Sequence, residues 1–194
     1  MDIYVINRDD RPERLSDFIV ELQNQDLNAH KFSAIIDKTG WKGCAKSHLA
    51  LLKEIGYNKE MLILEDDVVF LVPDLIRHLD LCRHDLPDDW DCLYLGGSPQ
   101  EPQEKYTDFL YRARNVLCAH AILWRNRAGG AVEYTIAHKG DIKKIDDYFA
   151  KNIQLLFNCY MARPILATQM QYKSDTCLRS DVSTILINYK KFCQ

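Results

Sequence analysis

Met61-Leu62-Ile63-Leu64-Glu65-Asp66-Asp67-Val68 is the stretch whose reading decides the fold. Four apolar residues run directly into three acids. A short apolar run with no helical period, ended abruptly by charge, predicts a strand buried on both faces. The acids then mark where a central strand leaves the core. Adjacent carboxylates repel one another, and burying them unpaired is costly, so positive charge is expected beside them. A hard divalent cation such as manganese or magnesium suits carboxylate oxygens. In an extended segment Glu65 and Asp67 would point to the same side. On these residues alone two readings stand: a metal-binding strand end, or a solvated acidic turn.

Working outward, Ile3-Tyr4-Val5-Ile6 reads as a first strand that is apolar on both faces, followed by a polar turn from Asn7 to Arg11. Pro12 suits a first helical turn. Leu15, Phe18, Ile19 and Leu22 recur at helical spacing, which predicts an amphipathic helix to about Gln25. Lys31–Ile36 is strand-like. Gly40 and Gly43 bracket a turn, and a helix follows through Ser47, Leu49, Leu52 and Ile55. Pro73 opens a further helix, with Leu75, Leu79 and Cys82 on one face. Asp91–Leu95 is a strand that stops at Gly96-Gly97. Ser98–Thr107 reads as a loop and Val116–Trp124 as one strand. Arg125–Ala137 and Asp146–Ala150 are helix candidates. Phe157–Ala162 and Ile165–Ala167 are short strands, and the tail from Ser180 shows no clear period. Strands alternating with helices over the first hundred residues predict an α/β fold, a sheet with helices on both faces. Ligands bind such sheets beyond the carboxyl ends of the strands.

The 194 residues suit one domain, with 47% hydrophobic and 27% charged residues. A net charge of −3 gives no footprint for a nucleic-acid partner. No apolar stretch is long enough to span a bilayer, and the start of the chain lacks the pattern of a signal peptide. The seven cysteines form no CxxC pair and are odd in number, which predicts reduced thiols and a cytoplasmic location. There is no Walker-type phosphate loop.

In order along nearly the whole chain, the sequence resembles glycosyltransferase family 25, which includes bacterial lipopolysaccharide galactosyltransferases and relatives of the procollagen galactosyltransferases. Ile3–Asn7 with Arg11-Pro12-Glu13-Arg14-Leu15 is similar to that family's opening strand and helix start. Phe32–Ile35 resembles its second strand. Gly43-Cys44-Ala45-Lys46-Ser47-His48-Leu49 resembles its Gly-Cys-x-x-Ser-His segment. Leu62–Val68 resembles its Leu-Glu-Asp-Asp-Val signature, and Trp90–Gly96 follows the expected strand. His120-Ala121, Asp146, Arg163-Pro164, Gln169 and Ser180-Asp181 match later landmarks. Arg8, Lys46 and Leu52 depart from the pattern, and the stretch from Gly97 to Val116 is short.

The resemblance implies a single GT-A-like (Rossmann-like) domain over 1–194, with a nucleotide-sugar part at 1–100 and an acceptor side at 101–194. It implies a metal-dependent, inverting hexosyltransferase acting on a glycan or glycoprotein acceptor. The donor would be a UDP-sugar, galactose or glucose first. Asp67 is expected to hold Mn2+ or Mg2+, with Glu65 as a second ligand. Asn7, Arg11, Arg14, Ser47, His48, Glu65 and Asp66 are expected at the donor, with His48 touching it or orienting Asp67. Inverting transfer needs a base for the acceptor hydroxyl. Asp146 is the first candidate, then Asp147 and Asp181. Asp146 and Asp147 equally suit a helix N-terminus. His120 suits either a strand-end contact or a binding role. A binding protein without catalysis is the alternative from a different class.

Overall fold

The computed structural model describes residues 1–56, 59–125, 144–170 and 182–193. Strand β1 (Asp2–Asn7) leads through a tight turn into helix α1 (Pro12–Asn24), with Pro12 in its first turn. Strand β2 (His30–Ser33) and helix α2 (Gly40–Glu54) follow, then β3 (Glu60–Glu65) and the short β4 (Val68–Phe70). Helix α3 (Leu75–Asp85) starts at Asp74, whose side chain accepts from the Arg77 amide at 3.0 Å, an N-cap that satisfies an otherwise orphan donor. Strands β5 (Cys92–Tyr94), β6 (Ser98–Pro99), β7 (Glu104–Lys105), β8 (Leu110–Arg112), β9 (Val116–Leu117) and β10 (Ala121–Arg125) come next. A continuous helical segment then comprises α4 (Ile145–Tyr148), a π-helical turn (Phe149–Ile153) and α5 (Gln154–Leu156). Strands β11 (Cys159–Ala162) and β12 (Ala167–Gln169) and helix α6 (Val182–Phe192) complete the described chain.

Eight strands form one mixed sheet in the order β2-β1-β3-β10-β5-β11-β8-β7. β1 is parallel to both β2 and β3, and β10 runs antiparallel between β3 and β5. The predicted central strand is central: Leu62, Ile63 and Leu64 are fully buried. Burying each such side chain is worth roughly 1.5–3 kcal/mol. Alternation along the strands divides the core in two. Ile3, Val5, Leu62 and Leu64 pack under α1 and α3, against Phe18, Leu22, Leu75 and Leu79. Ile6, Met61 and Ile63 pack on the other face, against Leu51 and Leu52 of α2 and Phe149 and Ile153 of the π-helical segment. Helices therefore cover both faces, as the strand–helix alternation predicts.

Several local expectations need correction. Helix α2 begins at Gly40, so Gly43 lies inside it rather than in a turn. Val116–Trp124 is not one strand; Cys118 adopts a positive φ of 76° and separates β9 from β10. The Ser98–Thr107 segment carries two-residue strands. The tail contains α6. Val182, Ile185, Leu186 and Tyr189 do fall at i, i+3, i+4 and i+7, a helical period that the intervening Ile187 obscures. Most of the helix expected over Arg125–Ala137 lies outside the described residues. The six described cysteines are free thiols. No helix among the described residues is long and apolar enough to cross a membrane.

Candidate functional site

Pairing of β1 with β3 sets the site. The register ends with Ile6 beside Glu65, so Asn7 and Asp66 emerge together at the carboxyl ends of two central strands. Asn7 is buried, and its Nδ2 donates to Asp66 Oδ2 at 2.7 Å and to the Arg11 carbonyl at 3.1 Å. One amide therefore fixes both the acidic strand end and the turn into α1. One turn into that helix, Arg14 Nη2 lies 2.5 Å from Asp66 Oδ1 and 3.0 Å from Asp67 Oδ2. The positive charge required by the buried acids is thus a guanidinium from α1.

The extended geometry assumed for Glu65–Asp67 gives way to a turn at residues 66–67. The three acids consequently have different partners. Glu65 points to the α2 face, where His48 Nε2 lies 3.1 Å from its Oε1 and Cys44 Sγ lies 3.8 Å away. Asp66 and Asp67 turn toward α1. Gln169 Nε2 on β12 donates to Asp67 Oδ1 at 3.2 Å, and the Asp67 carbonyl accepts from the Met170 amide at 2.6 Å. His48 thus faces Glu65.

Electrostatics follow from burial and like charge. Asp67 is raised from 3.8 to about 7, chiefly by burial and then by the Glu65 charge, with Arg14 opposing. Glu65 is lowered despite its burial, because His48 hydrogen-bonds it and His48, His120 and Arg14 add positive potential. His120 precedes β10 and is fully buried; its carbonyl accepts from the Glu65 amide at 2.8 Å. Burial pushes its imidazole down to about 4.

Asp146 sits in the first turn of α4 and accepts from the Asp147 amide at 2.9 Å. It is raised above its ordinary 3.8, first by burial, then by the Asp147 and Glu65 charges. Asp146 therefore faces the same electrostatic neighbourhood as the acidic strand end. Asp147 is more exposed and lies 3.7 Å from Lys151. The segment carrying them is clamped by Gln154. Its amide accepts from the Val116 amide and donates to the Val116 carbonyl and the Tyr94 hydroxyl, at 2.9, 2.8 and 3.0 Å. Phe149 packs edge-on against Trp124 and His48. Asp181 lies outside the described residues.

Not every expected donor contact faces this centre. Ser47 is fully buried, and its hydroxyl donates to the Gly43 carbonyl and accepts from the Ile35 amide at 2.8 Å. It joins α2 to the end of the β2 segment. Gly43 is required there, because a Cβ would lie 2.5 Å from the Ile35 carbonyl oxygen. Arg11 is partly exposed and lies 3.6 Å from Glu13. Gln169, though a resemblance landmark, carried no role from sequence. Its contact spans 102 residues, and no local pattern encodes it. Cys44, four residues before His48, did carry a signal in that spacing.

No protein-family model and no curated protein sequence matches the chain. Solved structures do. The galactosyltransferase LgtC, in complex with donor and acceptor sugar analogs, is similar over 100% of this chain and 97% of its own, with 14% identity and a TM-score of 0.51. A Drosophila β1,4-galactosyltransferase 7 mutant, in complex with manganese, UDP-Gal and xylobiose, is similar over 88% of this chain and 71% of its own, at 13% identity and a TM-score of 0.48. A197 from STIV is similar over 89% and 87%, at 12% identity and a TM-score of 0.49. The fold is thus GT-A-like, a mixed α/β domain built on a large eight-stranded sheet.

Proposed function

We propose that this protein is a metal-dependent, inverting glycosyltransferase, similar to family 25, that moves a hexose from a UDP-sugar to a glycan or glycoprotein acceptor. Galactose and glucose are the first donor sugars to test. The observation that carries the reading is the buried cluster of Asn7, Arg14, Asp66 and Asp67 at the carboxyl ends of β1 and β3. Sheets of this kind bind ligands there, and the LgtC-like fold supports a nucleotide sugar as that ligand.

The donor set fits a divalent cation. Asp66 and Asp67 face the Arg14 guanidinium, and burial, then the nearby Glu65 charge, raise Asp67 to about 7 against the pull of Arg14, a surplus of negative potential in a buried place. A cation relieves that surplus. Asp67 is the direct ligand, with the Glu65 carboxylate behind it. A divalent cation held there would supply neutralisation of the charge that builds on a diphosphate leaving group. Asn7 and Asp66 orient the donor. Arg14 suits phosphate oxygens through its planar guanidinium, and Arg11 lies at the rim. Asp146 takes the proton of the acceptor hydroxyl. Burial raises its pKa, the direction that makes a carboxylate a stronger base. Asp147 and Asp181 are the next candidates.

Arg14 also favours a second reading. It already pairs with Asp66 and Asp67, so a guanidinium could stand where a metal is expected. The chain would then bind a nucleotide sugar or glycan without turning it over. Incubation with manganese and a panel of nucleotide sugars separates the two. Release of free nucleoside diphosphate is the expected outcome. Nucleotide binding without release under any donor would reject the enzyme reading.

A further inference from the structure

The turn at Asp66-Asp67 leaves Glu65 on the other face of the sheet, among a different set of donors. Cys44 and His48 lie four residues apart on α2 and so share one helix face. Both direct their side chains at Glu65. Cys44 Sγ, His48 Nε2 and a Glu65 oxygen all lie within 4.8 Å of one another, and among the described residues they form the one cluster of this kind. We propose that Cys44, His48 and Glu65 form a transition-metal site of zinc type, separate from the hard-cation position at Asp67.

Two of its three edges are close to those of tetrahedral zinc. Zn–S of about 2.3 Å and Zn–N or Zn–O of about 2.0–2.1 Å imply ligand edges of about 3.3 Å for N to O and about 3.6 Å for S to O. The corresponding distances here are 3.1 Å for His48 to Glu65 and 3.8 Å for Cys44 to Glu65. The third edge, Cys44 Sγ to His48 Nε2, is within 4.8 Å. Three protein ligands leave a fourth position open, as in zinc sites that exchange a water or a ligand.

The charge also closes. One thiolate, one carboxylate and one neutral imidazole balance a dication, so the buried site becomes neutral. Thiolate sulfur selects against magnesium and manganese and toward zinc. The imidazole is pre-oriented: His48 is fully buried, its Nε2 already faces Glu65, and its ring is held edge-on by Phe149. Burial, and then the Glu65, Asp146 and Asp67 charges, push the Cys44 thiol up, and that same negative potential draws a cation inward. Because Glu65 also lies behind the acids at Asp67, filling this site alters the field at the hard-cation position. The inference does not depend on sugar transfer.

Cobalt(II) is the probe. Titrating the full, metal-stripped chain with Co2+ should give one equivalent of thiolate-to-cobalt charge-transfer absorption, which Zn2+ bleaches. Cys44→Ser should abolish that absorption. His48→Gln and Glu65→Gln should weaken Co2+ binding at least about tenfold. Asp67→Asn should keep the band while losing Mn2+ affinity. Anomalous scattering at the zinc edge from zinc-soaked wild-type crystals should place the ion among these three side chains, which needs no variant to fold. An unchanged band in Cys44→Ser, no band in wild type, or zinc density elsewhere only would overturn the proposal.

Discussion

Arg14 is the residue on which the acidic strand end depends. It is nearly buried and contacts two carboxylates that are themselves largely buried. Removing one partner of a buried ion pair strands the other charge and costs about 3–5 kcal/mol. Arg14→Ala should therefore lower stability by about 3 kcal/mol in chemical denaturation, with part of the loss restored by Mn2+. No restoration would favour the guanidinium as a permanent substitute for metal. Asp67 carries a pH signature. Its folded pKa of about 7 exceeds the ordinary 3.8, so the metal-free fold keeps a proton that the unfolded chain releases. Its contribution is present below pH 4 and is lost as pH rises through 7. Denaturation of metal-free Asp67→Asn against wild type should show the variant gaining relative stability from pH 4 to 7 and levelling off above. His120 runs oppositely. Its folded pKa of about 4 lies below 6.5, so its contribution is full above pH 6.5 and is lost as pH falls toward 4. His120→Gln should lessen that acid loss. A flat difference for either variant would contradict the assignment.

Among elements, the contact of β5 with the segment leading into β12 controls where Gln169 arrives. The Leu95 carbonyl accepts from the Leu166 and Ala167 amides at 2.6 and 3.2 Å. A Cβ at Gly96 would penetrate the Ala167 carbonyl oxygen. Gly96→Ala must push these segments apart, and overpacking of this kind typically costs 1–3 kcal/mol. Thermal unfolding should register that loss, and Mn2+ affinity should fall with it because Gln169 no longer reaches Asp67. Retention of wild-type melting and metal affinity would show that the segments are not in register-setting contact. The same element view explains which readings were legible. α1 and α3 followed from apolar spacing, and β3 from an uninterrupted apolar run. β4 did not, and the short strand expected at Ile165–Ala167 falls two residues later, at Ala167–Gln169, because three-residue strands carry too little periodicity to fix their bounds.

For the molecule as a whole, binding and turnover should separate along the chain. Asp67→Asn is expected to remove metal-dependent donor binding. Asp146→Asn is expected to keep donor binding and lose transfer by 100-fold or more, within the ~10²–10⁴ range of general-base contributions. Calorimetry with the nucleotide sugar and a product assay measure the two properties independently. Full transfer by Asp146→Asn would move the base to Asp147 or Asp181.

The sequence by itself determined the buried strand at Leu62–Leu64, the helices that cover the sheet and the acidic end at Glu65–Asp67, because each is written in contiguous residues or in a short period. It also required a positive partner for those acids, since their burial is costly without one. Only the tertiary structure decided that the partner is Arg14, that Gln169 reaches Asp67 from the far end of the chain, and that Glu65 parts from Asp66 and Asp67. Those outcomes depend on strand register and on a turn at the strand end. The register emerges when whole strands pair, and the side on which each carboxylate falls depends on the turn that follows.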